Sequence, residues 1–114
     1  VSLTSPPERA LSIANDATGF VYFVSVTGTT GARKTIHSRL RPRVTTLRKQ
    51  SPAPVAVGFG ISTPEMAGKI GAFSDGVIVG SAILQLLDNG GSKRDYSAVN
   101  KFLTEARMNL ELQR

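Results

Sequence analysis

The sequence predicts an α/β fold, with βα units alternating on a parallel sheet as about four units of a (β/α)8 barrel, and three observations carry the prediction. Apolar runs without polar alternation, from Phe20 to Val26, Val55 to Val57 and Val77 to Val79, suit strands covered on both faces. Each run is followed, directly or after a loop, by residues in helical periodicity, the order that builds parallel sheets. The pattern Ser5-x-Pro7-Glu8-x-Ala10-x-x-Ile13 also returns position for position as Ser62-x-Pro64-Glu65-x-Ala67-x-x-Ile70, an offset of 57 residues. The same offset lays Gly19-Phe20-Val21-Tyr22 on Gly76-Val77-Ile78-Val79. Two βα units per repeat, at about 30 residues each, is the spacing of such a barrel.

Taken in order, Val1 to Thr4 reads as the end of a strand. Ser5, Pro6, Pro7 and Glu8 then supply a capping serine, first-turn prolines and a glutamate three residues on, opening a helix to about Asp16. Phe20 to Val26 is the clearest strand, aromatic and β-branched, and is expected at the centre of the sheet. Thr27 to Ser38 combines glycines, hydroxyls and charges without apolar periodicity, which reads as a long loop. Pro42 suits the first turn of a basic helix that ends before Ser51-Pro52-Ala53-Pro54. After the strand at Val55 come a capping box and a helix from Thr63 to about Ile70, the strand Val77 to Val79, a helix from Ser81 to about Asp88, and a last amphipathic helix from Ser97 to Leu112. Val99, Phe102, Leu103, Ala106 and Leu110 fit one face of that last helix.

The 114 residues suffice for one small domain and are too few for a large single-domain enzyme fold. Without Cys or Trp the chain cannot be a disulfide scaffold or a zinc ribbon, nor use a thiol nucleophile. No apolar run approaches the roughly 18 residues of a membrane span, and Val1 to Thr4 does not resemble a signal peptide, so a soluble protein is expected. The net charge is +6, with Arg33, Lys34, Arg39, Arg41, Arg43, Arg48 and Lys49 together and no acid among them. Such a cluster raises nucleic-acid binding. No aromatic residue interleaves it to stack bases, however, and Leu40, Val44 and Leu47 recur inside it at helical spacing. The wet face of an amphipathic helix is the favoured reading.

Two strands end in glycine. Gly58 and Gly60 leave the backbone bare for the close approach of a ligand, or simply make a tight turn. Gly80 is followed by Ser81 at a helix start, where main-chain N–H groups and a hydroxyl could cradle a phosphate; read alone, Ser81 is as readily a plain N-cap. Tyr22 by itself reads as a core residue with its hydroxyl satisfied. His37 is the single histidine and has no Ser or Cys partner at a telling spacing, so it receives no catalytic role.

The stretches Gly19 to Arg33, Val55 to Glu65 and Asp75 to Ala82 resemble the tryptophan synthase α subunit and its plant relatives, the indole-3-glycerol-phosphate lyases. The resemblance covers residues 1–114 and falls on the carboxyl-terminal half of that family's TIM barrel, strands five to eight. It implies cleavage of indole-3-glycerol phosphate to indole and glyceraldehyde 3-phosphate. It further implies a β-subunit partner bearing pyridoxal phosphate, with no cofactor or metal in this chain. By the same resemblance Gly31, Gly60, Gly80 and Ser81 are the phosphate-binding residues. Thr30 matches the loop threonine that closes toward a catalytic aspartate, Tyr22 a barrel-lining tyrosine beside the reacting end, and Phe59 an aromatic wall. Thr29 departs from the aliphatic residue usual there, and the basic cluster is heavier than the family pattern.

The family's two catalytic carboxylates belong to the amino-terminal half of the barrel, which is therefore an expected partner. No residue here is expected to replace them. Glu8 and Glu65 are capping residues by spacing, and Asp75 precedes its strand, at the end of a barrel that serves stability. Three functions follow in order: the phosphate-binding half of the lyase, a non-catalytic phosphate-binding half-barrel and, least favoured, a basic nucleic-acid module. The resemblance implies a cytoplasmic location, or a plastid if the source is a plant or alga.

Overall fold

A computed structural model describes residues 1–25, 33–58, 61–89 and 96–112. The elements run α1 (Pro7–Asp16), β1 (Val21–Val24), α2 (Arg33–Gln50), β2 (Val55–Gly58), α3 (Pro64–Gly71), β3 (Gly76–Ile78), α4 (Ser81–Asn89) and α5 (Ser97–Leu112). The three strands form one parallel sheet in the order β1-β2-β3. Val24 lies beside Gly58, and Gly58 beside Ile78. The expected α/β alternation on a parallel sheet is thus present.

The core lies on one face of the sheet. Val21 and Phe23 of β1 and Val55 and Val57 of β2 are buried there, together with Leu40, Val44 and Leu47 of α2, Ala10 and Ala14 of α1 and Ala67 and Ile70 of α3. Arg39, Arg41, Arg48 and Lys49 stand exposed on the same helix whose Leu40, Val44 and Leu47 are buried, as a solvated amphipathic face requires. Two arms of Arg43 reach back from α2: Nη1 donates to the Leu3 carbonyl at 3.1 Å and Nη2 to the Ser5 carbonyl. Helix α5 lies close on α3, because a Cβ added at Gly68 would come within 2.8 Å of Asn109 Cβ.

Several expectations are corrected. Helix α2 begins at Arg33, so Arg33 to Ser38 is helix rather than loop; those residues are polar apart from Ile36 but include neither Gly nor Pro, and polarity alone does not break a helix. Pro42 consequently sits inside α2 and not in its first turn. It removes one intrahelical bond, a cost of about 3 kcal/mol, which the burial of Leu40, Val44 and Leu47 offsets. Strand β2 is the middle one of the three, and β1 is also interior, flanked by β2 on one side and by the Ser2 bridge on the other. Val1 to Thr4 contributes only an isolated parallel bridge from Ser2 to Val24. Ser5 N–H turns back to the Ser2 carbonyl at 3.1 Å, and the hydroxyls of Ser2 and Thr4 meet at 2.8 Å, which ends the pairing.

Both helix starts fall one residue later than the expected capping boxes. The N-cap of α1 is Pro6, without a side-chain bond, and the Ser5 hydroxyl accepts from Ser2 N–H at 3.0 Å. In α3 Thr63 is the cap and accepts from Met66 N–H at 3.1 Å. Glu8 and Glu65 do lie in first turns. On α5, Phe102 and Ala106 are buried, but Leu103 points outward, 50% exposed. Among the described residues no helix is long and apolar enough to cross a membrane.

Candidate functional site

Parallel strands send all their carboxyl ends to one side, where open α/β sheets bind ligands. Here that end is formed by Val24 and Ser25 after β1, Gly58 at the end of β2, and Val79 and Gly80 after β3. Ser25 is buried and donates from both its hydroxyl (2.9 Å) and its main-chain N–H (3.1 Å) to the Gly58 carbonyl, tying the ends of β1 and β2 together. The only signal for this in the sequence is a single serine within the otherwise aromatic and β-branched run Phe20 to Val26.

Leu84 N–H donates to the Gly80 carbonyl at 3.1 Å, so Gly80 occupies the cap position and Ser81 is the first residue of α4. The plain N-cap role considered for Ser81 therefore falls to Gly80. Both residues are exposed, and a Cβ added at Gly80 would meet nothing within 4 Å. Packing gives no reason for a glycine there. First-turn N–H groups have no carbonyl partner within their own helix, and the helix dipole adds partial positive charge, so this terminus suits an anion.

The face of the sheet opposite the core carries Tyr22, Val24, Ala56, Gly58, Gly76 and Ile78, by the register and the alternation of side chains. Tyr22 is 38% exposed, and its ring lies over Gly58: a Cβ built there would stand 2.7 Å from Tyr22 Oη and 2.9 Å from Ile78 Cβ. Gly58 is thus buried beneath a side chain and is not bare to a ligand, and Tyr22 is a partly open lining residue rather than a core one. Thr30, Gly31, Phe59 and Gly60 lie outside the described residues, so Tyr22, Gly80 and Ser81 are the site residues that the structure places.

At the opposite end of the strands Asp75 holds the sheet together. Its Oδ2 accepts from Val55 N–H and its Oδ1 from Arg48 Nε, each at 2.8 Å, and its own N–H donates to the Val55 carbonyl at 2.9 Å. This carboxylate is spent on structure, at the end away from Gly80. Among the described residues no group of three or more His, Cys, Asp or Glu is placed to hold a metal ion.

A parallel α/β sheet with helices on one face and a glycine-led helix start at its carboxyl end is the architecture from which (β/α)8 enzymes are built. The comparisons narrow the class. The tryptophan synthase alpha chain family model matches residues 1–113, and the chain belongs to that family. It is 57% identical over 88 residues to the tryptophan synthase alpha chain of Gloeobacter violaceus, covering 76% of this chain and 32% of that one. It is 44% identical over 108 residues to that of Prochlorococcus marinus, covering 94% and 39%. Among solved structures, the alpha chain from Legionella pneumophila superposes with a TM-score of 0.74 at 33% identity, covering 97% of this chain and 40% of that one. The tryptophan synthase α2β2 complex of Pyrococcus furiosus gives a TM-score of 0.75 at 32% identity, with 94% and 43% covered. The chain therefore spans about a third to two fifths of the length of its relatives.

Proposed function

We propose that this chain supplies the phosphate-binding half of an indole-releasing lyase of the tryptophan synthase alpha type, and that it lacks the carboxylates that perform the chemistry. The observation that carries the proposal is the Gly80-Ser81 start of α4 at the carboxyl end of the sheet, exposed and with open space where a glycine has no packing role. In this reading the substrate phosphate sits on the N–H groups of the first turn of α4 and on the Ser81 hydroxyl, with Gly31 and Gly60 closing the cradle. Tyr22, Thr30 and Phe59 line the path from phosphate to indole.

Retro-aldol cleavage requires protonation of the indole ring and removal of a proton from the glycerol hydroxyl, tasks for two carboxylates in a closed pocket. Glu8 and Glu65 lie in helix first turns, and Asp75 bonds Val55 and Arg48 at the opposite end of the strands. The amino-terminal half of the barrel is therefore the partner that would bring the acid and base. A beta subunit would receive the indole, and pyridoxal phosphate would belong to that subunit. Phosphate held by main-chain groups contributes binding that is equal in the ground and transition states, so it lowers KM without lowering the barrier. The alternative is a phosphate-binding half-barrel without chemistry.

The test is calorimetric titration of glycerol 3-phosphate into the chain assembled with the amino-terminal half. Saturable binding that Gly80→Val abolishes is expected. Unchanged affinity in that variant would remove the site assignment.

A further inference from the structure

The structure assigns a second anion site to this chain, in the cleft between α2 and the connection from α3 to β3, with the chemistry to hold a compact polyphosphate. The inference uses neither the Gly80 terminus nor the lyase chemistry. The cleft lies beside Asp75, at the opposite end of the strands, and both its walls come from residues 41–73, in elements that the Asp75 bonds tie together.

The first observation is convergence. Arg41, Thr45, Arg48 and Lys49 stand at positions i, i+4, i+7 and i+8 of α2, one stripe of the helix. With Ala72 and Phe73 they line an open cleft of about 450 Å³. Arg39 is equally exposed but stands on another side of α2 and does not line it. A solvated face explains why these cations are exposed, but not why three of them share one concavity.

The second observation is how the cations are held. The Arg41 guanidinium carbon is 6.0 Å from the centroid of the Phe73 ring, a cation–π contact that orients it. Arg48 Nε donates to Asp75 Oδ1 at 2.8 Å, which fixes the guanidinium and leaves its two terminal nitrogens for a ligand. Among the described residues Lys49 has no hydrogen bond or ion pair. Three cations therefore stand beside one carboxylate, and the other oxygen of that carboxylate accepts from Val55 N–H.

The spacing selects the class of anion. Guanidinium forks match phosphoryl oxygens, and a lysine adds a point charge. Arg41 and Arg48 are seven residues apart, about 10 Å along the helix, so the positive charge lies at two ends of the cleft. A single phosphate engages one end; linked phosphoryl groups engage both. Nucleic acid suits the cleft less well. Its one aromatic residue, Phe73, is half-buried against the core and covered by Arg41, so its ring is not offered to a base.

Calorimetric titration of sodium tripolyphosphate into the chain at low ionic strength tests this. Saturable one-to-one binding is expected, the same in wild type and Gly80→Val. Arg41→Ala and Lys49→Ala should each weaken it about tenfold, as the loss of a hydrogen bond between charged groups does. Arg39→Ala removes the same charge from another side of α2 and should leave the affinity within about twofold. All three side chains are exposed, so these variants keep the fold. Absence of saturable binding, or equal losses in the three variants, would overturn the inference, the second by showing diffuse attraction to a chain of net charge +6. Loss of binding in Gly80→Val would overturn it by placing the anion at the other end of the strands. A single-stranded oligonucleotide that binds the same residues more tightly than tripolyphosphate would overturn it in favour of a nucleic-acid surface.

Discussion

Gly58→Ala is the sharpest test of the packing beneath the open face. The added Cβ would lie 2.7 Å from Tyr22 Oη, 2.9 Å from Tyr22 Cζ and 2.9 Å from Ile78 Cβ, where carbon atoms normally rest about 3.5–4.0 Å apart. Tyr22 is partly exposed and can swing away, but Ile78 Cβ is fixed to the backbone of β3 and can move only with its strand. Replacing a strand glycine returns roughly 0.5–1 kcal/mol of backbone entropy, while overpacking costs typically 1–3 kcal/mol. The clash should win, leaving a net loss of about 1–2 kcal/mol. Two of the three close contacts belong to Tyr22, so Tyr22→Ala should relieve most of the clash and reduce the cost of Gly58→Ala by about 1 kcal/mol in a double-mutant cycle. Urea denaturation of the four proteins measures both quantities. A neutral or stabilising Gly58→Ala, or additive effects, would refute the placement of Tyr22 over Gly58.

Asp75→Ala strands Val55 N–H as well as breaking the ion pair with Arg48, so it should cost about 1–3 kcal/mol and exceed Arg48→Ala, which removes a partly exposed pair worth about 0–1 kcal/mol; urea midpoints of the two variants decide. Gly68→Ala meets Asn109 Cβ at 2.8 Å and its carbonyl oxygen at 3.2 Å, so α5 must shift and the variant should melt lower, despite a helix-propensity gain of about 1 kcal/mol. Gly71→Ala meets only side-chain atoms, chiefly Leu110 Cδ2, which can rotate, and should be milder in the same thermal scan. Gly80→Ala should unfold at the wild-type urea concentration, because its Cβ enters open space; a large loss of stability would mean that Gly80 is there for packing.

Local chemistry was the legible part of this fold. The periodicity of Val99, Phe102 and Ala106 located α5, and Leu40, Val44 and Leu47 disclosed the buried stripe of α2 through the surrounding charge. Misreadings came where composition stood in for conformation. The polar run Arg33 to Ser38 is helix, and Pro42 is tolerated mid-helix because tertiary burial overrides its local cost. The caps shifted by one residue because Ser5 is engaged by Ser2 and Thr63 performs the task at α3. Contacts distant in sequence had no local signature. Tyr22 over Gly58, Ser25 on the Gly58 carbonyl and Asp75 on Val55 N–H each join residues that only the sheet brings together. The phosphate role proposed for Gly80 and Ser81 came from family resemblance, and the structure adds that both are exposed and that a Cβ at Gly80 would enter open space.

The central claim, a phosphate-binding half without its acid and base, is tested most directly by indole release from indole-3-glycerol phosphate, measured for the purified chain alone and with the amino-terminal half of the barrel. An acid and a base each contribute typically 10²–10⁴-fold, so the chain alone should show no turnover above background, and activity should appear when the other half is added. Turnover by the chain alone that persists through further purification would contradict the claim and place the catalytic groups within these 114 residues.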